Sequence, residues 1–234
     1  MKKTIITLIA LAGVAFASES ITLGTSVGSG TGAAGGVVFT LKDKPTRYTL
    51  TGLEESQLLP NTLTLSSITL NDIYYLNARA TNDSTYQLWL YVTDADGHVL
   101  GISDKKMVSV YTTDANATGN TSDYTFDFKS LTISKNTEYK VWFKSSETAY
   151  TTDAVTGVKN IAGTNAENIR TQNLVTGLTG SQDELGVILT DGTNGTGLGA
   201  YAYTMSASFV VPEPTTATLS LLALAGLAAR RRRK

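Results

Sequence analysis

The amino-acid sequence predicts an all-β body, an antiparallel two-sheet sandwich of jelly-roll type, flanked by an N-terminal signal peptide and a C-terminal transmembrane helix. Three observations predict the body. Apolar residues recur with period two in several stretches, Gly- and Asn-rich turns separate those stretches, and helical periodicity is weak. Two sheets that each bury one face against the other produce that alternation.

The strands are read in chain order. Val37, Val38 and Phe39 form a short apolar run. Thr62 to Leu65 alternate, and Ile68 and Leu70 continue in shifted phase after Ser66 and Ser67, which predicts a bulge. Tyr86, Leu88, Leu90 and Val92 share one face, as do Tyr124, Phe126 and Phe128, and Tyr139, Val141 and Phe143. Residues 107–111 and 187–189 fit further strands, and Tyr201, Tyr203, Met205, Ala207 and Phe209 form the last and longest face. Asp94-Ala95-Asp96-Gly97 predicts a hairpin turn ahead of 99–102, because Gly readily takes positive φ. Residues 145–184 are polar and weakly patterned, and predict long loops with one short helix near 165–171.

Composition narrows the chemistry. The chain has 234 residues, no cysteine, one histidine (His98) and a formal net charge of -1. Thiol nucleophiles, cysteine-ligated metals and multi-histidine metal sites are excluded, and no cofactor is expected. Residues 230–234 carry five positive charges and Lys2 and Lys3 two more, so the mature body is acidic and unsuited to nucleic acid.

Residues 1–17 have the order of a secretory signal. Lys2 and Lys3 precede an apolar run from Ile5 to Phe16, and Ala15 and Ala17 form the small-x-small site for signal peptidase, with cleavage expected before Ser18. The run is too short for a permanent span. The extracytoplasmic domain is then 18–210.

The segment 211–234 has three parts. Pro212, Glu213 and Pro214 break the last strand and hold an extended segment suited to a processing enzyme. An uncharged helix-forming run, 215–229, follows. Its fifteen residues rise about 22 Å against a hydrocarbon core of roughly 30 Å, so flanking residues or local thinning must help it span. Arg230, Arg231, Arg232, Arg233 and Lys234 then set the orientation, basic end inside and body outside. This ordered triad closely resembles the PEP-CTERM sorting signal of Gram-negative bacteria. The resemblance implies recognition by exosortase near Pro212, Glu213 and Pro214, which are then substrate residues and not catalytic ones. It implies an inner-membrane-anchored precursor that moves on to the cell surface or extracellular matrix, often linked with exopolysaccharide. The tail also looks like the version common in Verrucomicrobia, and the body is similar to uncharacterised β-rich proteins that carry it.

Candidate sites in the body are few. Trp89 and Tyr91 stand opposite the aliphatic face of 86–92, and Trp142 stands between Lys140 and Lys144. Such rings either stack on sugars of an exopolysaccharide or other glycan, or pack as a second core face. Asp94, Asp96 and Gly97 match the start of a calcium loop, but Lys105 falls where the twelfth-position carboxylate belongs, which favours a plain turn. Glu54 with Glu55, and Asp183 with Glu184, are adjacent carboxylates with no sign of facing each other across a cleft, so they favour solvated surface charge. No catalytic and no metal-binding residue is expected. The expectation is a non-enzymatic envelope or matrix protein with a structural or adhesive role. A carbohydrate-binding module is the alternative, and a glycan-active enzyme the third.

Overall fold

The computed structural model describes residues 20–25, 32–33, 36–41, 48–51, 61–163, 165–166, 168–172, 174–176, 187–189 and 198–210. They lie within one compact unit, Ser20–Pro212. In chain order its strands are β1 (Ser20–Thr25), β2 (Gly32–Ala33), β3 (Gly36–Thr40), β4 (Tyr48–Thr51), β5 (Thr62–Leu76), β6 (Thr85–Thr93), β7 (Val99–Ile102) and β8 (Lys106–Tyr111). The single-turn helix α1 (Asp114–Ala117) follows, and then β9 (Ser122–Ser134), β10 (Glu138–Lys144), β11 (Tyr150–Thr152), β12 (Lys159–Ile161) and β13 (Ile169–Thr171). The series ends with β14 (Leu174–Thr176), β15 (Val187–Leu189), β16 (Leu198–Tyr203) and β17 (Met205–Val210).

The all-β expectation is met, but the described strands do not divide into two antiparallel sheets of a jelly roll. Fifteen of them join one hydrogen-bonded network with the path β14-β16-β15-β3-β10-β6-β8-β5-β17-β1-β4. It is mixed, because β5 and β8 run parallel where Tyr75 meets Val110. Its curl comes from long strands that change partners. The first part of β5 pairs with β9 and β17, and its last residues pair with β13 and β8. The register breaks between Leu70 and Ile73, where Asp72 takes φ 50, and a left-handed residue there bends the strand. The bulge expected at Ser66 and Ser67 is present too, opposite Ser130 at φ 51.

Curling brings distant strands onto one core. Leu63, Leu65, Ile68 and Leu70 of β5 pack with Leu88, Leu90 and Val92 of β6, Phe126 of β9, Val141 and Phe143 of β10, and Phe209 of β17. Each side chain removed from water contributes about 1.5–3 kcal/mol, so this period-two set fixes the register of the long strands.

Three expectations are corrected. The stretch beyond 145 is not loop alone: β11 and β12 pair as a hairpin, and β13 and β14 pair with β5 and β16. The helix expected near 165–171 is absent, since Asn165 bridges Lys144 and Ile169–Thr171 is strand β13. The long last strand is also two elements, with β16 on β14 and β15 and β17 on β1 and β5, divided at Thr204.

Candidate functional site

The aromatic face proposed from the sequence is assembled by three strands. Trp89 and Tyr91 on β6, Trp142 on β10 and Val38 on β3 form a second buried cluster, behind the main core. Register explains the meeting, because Trp142 lies directly opposite Tyr91. The three rings are 7%, 0% and 4% exposed. Val99 and Ile102 of β7 cover them, together with Ala149, Tyr150 and Ile161 of the β11–β12 hairpin. A ring that stacks on a sugar needs an open face, and these have none. Of the two readings of Trp89, Tyr91 and Trp142, their burial fits the second core face and not a wet, sugar-facing platform.

The cover is pinned by polar bonds. The Tyr91 hydroxyl donates to the Ser146 carbonyl at 2.8 Å and accepts the Ala149 N–H at 3.1 Å. Burial pushes this phenol up. The Ile161 N–H donates to the Gly97 carbonyl at 2.9 Å, which ties the hairpin to the turn between β6 and β7. Trp142 donates its Nε1–H to Thr93 at 3.0 Å, so its polar edge is satisfied inside the protein.

That turn holds the chain's histidine. Asp94 Oδ1 accepts the His98 backbone N–H at 2.9 Å, and Asp94 Oδ2 lies 2.8 Å from His98 Nδ1. Gly97 takes φ 89, as the hairpin requires. Burial pushes the Asp94 carboxyl up, but the hydrogen bonds from His98 outweigh it and leave it below its ordinary value. Donor atoms of Asp94, Asp96 and His98 all lie within 4.8 Å of one another. A divalent cation would have to break the Asp94–His98 ring contact, and three residues supply few of the six to eight oxygens that calcium takes. The arrangement is that of a self-satisfied turn.

Two polar features were not visible in the sequence. Lys144 is only 3% exposed, donates from Nζ to the Gly163 carbonyl at 2.7 Å, and lies 5.8 Å from the Trp142 ring centre. Burial lowers its ammonium to about 8. Tyr74, fully buried, donates to Asp114 Oδ1 at 2.6 Å, and Arg170 Nη1 reaches Asp114 Oδ2 at 3.3 Å. Burial, then the Asp114 carboxylate, pushes the Tyr74 phenol far up. This set pins β5, α1 and β13 together. Only the pairing of distant strands brings its members into contact, so no local spacing announces it.

The sorting residues Pro212, Glu213 and Pro214, the peptidase-site residues Ala15 and Ala17, the run 215–229 and the basic residues 230–234 lie outside the described residues. So do the carboxylates Glu54, Glu55, Asp183 and Glu184. Among the described residues no helix is long and apolar enough to cross a membrane.

Comparison with protein families matches residues 210–234 to the PEP-CTERM protein-sorting motif. No curated protein matches the chain. The motif implies export, a precursor anchored in the membrane by its C-terminal end, and processing by exosortase. The carboxyl-terminal segment of the chain, residues 210–234, is a PEP-CTERM protein-sorting motif.

Proposed function

We propose that the strand-rich body is a non-enzymatic structural or adhesive component of the cell envelope or extracellular matrix, delivered there by exosortase processing. The sorting motif at 210–234 carries this reading, since it assigns the chain to an export route and not to a reaction. The build of the body supports it. The large aromatics Trp89, Tyr91 and Trp142 are spent on a second core, and Lys144, Tyr74 and Thr93 are tied to internal partners. Groups committed in this way rigidify a domain.

The test is a deletion strain and a glycan array. Cells lacking the chain should lose matrix cohesion or surface adhesion, and the purified chain should give no saturable binding on the array. Saturable binding competed by one soluble glycan, with cohesion unchanged in the deletion strain, would instead make the protein a carbohydrate-binding module.

A further inference from the structure

The rings of Tyr75 on β5 and Tyr86 on β6 lie face to face, with centroids 3.8 Å apart and planes 4° from parallel. Aromatic pairs ordinarily avoid this sandwich, because the negative faces of the two rings repel, and favour offset or edge-on packing at larger separation. The strand frame imposes it here. Tyr75 is held opposite Val110 and Tyr86 opposite Val108, so the two tyrosines flank β8, whose buried valines lie between their backbones. Both rings are half-buried at the rim of the main core. The contrasting pair, Tyr74 with Tyr111, meets edge-on at 5.9 Å and 77°, and Tyr74 is wholly buried.

We propose that Tyr75 and Tyr86 are a site of oxidative cross-linking, joined by an ortho carbon–carbon bond when a peroxidase-class oxidant reaches the exported protein. Each phenol gives up one electron and its hydroxyl proton. The two phenoxyl radicals couple at ortho carbons, and each ortho hydrogen returns to its oxygen as the ring regains aromaticity. Hydrogen peroxide takes the two electrons and two protons and becomes two molecules of water. Rings already in contact meet as neighbours and not by diffusion, an advantage that reaches many orders of magnitude in well-oriented systems. The chain has eleven tyrosines and no cysteine, so a disulfide is excluded and a tyrosine bond is a covalent staple open to it in an oxidising compartment. The export reading enters only in saying where the oxidant is met.

The full chain in detergent, treated with a haem peroxidase and hydrogen peroxide, tests this in isolation. The monomer should lose about 2 Da, the mass of the two hydrogens that coupling removes. Trypsin cuts after Arg79, between the two tyrosines, so the digest should contain one linked pair of peptides that fragments at Tyr75 and Tyr86. Tyr86→Phe keeps the stacked ring but cannot form the phenoxyl radical, and should abolish that linked pair. Tyr124→Phe should leave it unchanged. Coupling that is only between chains, that persists in Tyr86→Phe, or that joins Tyr74 to Tyr111 would overturn the proposal without touching the sorting assignment.

Discussion

Trp142 on β10 donates its indole N–H to the Thr93 hydroxyl on β6 at 3.0 Å, and both residues are buried. Thr93 in turn donates to the Asp94 carbonyl at 3.0 Å, so the second core is wired into the turn beside it. Trp142→Ala should therefore cost about 3–5 kcal/mol of stability. Thr93→Val, which leaves the indole donor unsatisfied, should cost about 1–3 kcal/mol. Urea unfolding of both single variants and the double measures this. Variants that keep wild-type stability would show that the ring is a surface ligand and not core.

Tyr91 holds the hairpin cover through its hydroxyl. Tyr91→Phe removes both bonds and leaves the Ser146 carbonyl and the Ala149 N–H seeking water. Hydrogen exchange should accelerate through residues 149–161, corresponding to about 1–3 kcal/mol of local destabilisation, while β5 and β9 keep their protection.

Lys144 makes stability depend on pH in a sense opposite to that of an ion-paired lysine. Its folded value of about 8 lies below the ordinary 10.5. Between those values the unfolded chain binds the proton and the folded one does not, so the residue's burial penalty fades as pH rises across this window. Below pH 8 both states are charged, and the full penalty applies. Lys144→Met should be at least as stable as wild type at pH 7, with its advantage shrinking by pH 10. A Lys144→Met protein that is less stable at pH 7 by a constant amount at every pH would refute this. The raised phenols of Tyr74, Tyr86 and Tyr91 act above pH 10 in both proteins and cancel in the comparison.

Asp94 has a lowered carboxyl, so its bonds to His98 add stability above the ordinary carboxylate range and lose it as pH falls through the folded value. Asp94→Asn should cost about 1 kcal/mol or less at pH 7, because the pair is partly exposed, and the difference should vanish in acid. Calcium should leave the melting temperature of both proteins unchanged.

Much of the fold was legible where one face meets water. Leu63 and Leu65, and Phe126 and Phe128, announce their strands because buried residues alternate with more exposed ones. The turn at Gly97 was legible for its backbone chemistry. From Leu88 to Thr93 both faces of β6 are buried, so alternation told which residues share a face but not that the second face is covered. Its cover comes from three-residue strands, β11 and β12, too short to carry a period. β13 is strand only because β5 and β2 accept it, which no local pattern at 169–171 encodes. The stack of Tyr75 on Tyr86 depends on β8 lying between them, a non-local fact of the same kind.

Export of the body and its release from the sorting tail can be read from intact-mass and terminal-peptide measurement of surface-located protein. The mature protein should begin near Ser18 and lack the residues beyond the Pro212-Glu213-Pro214 motif, including the basic residues 230–234. Surface protein that still carries Lys234 at its end would contradict this.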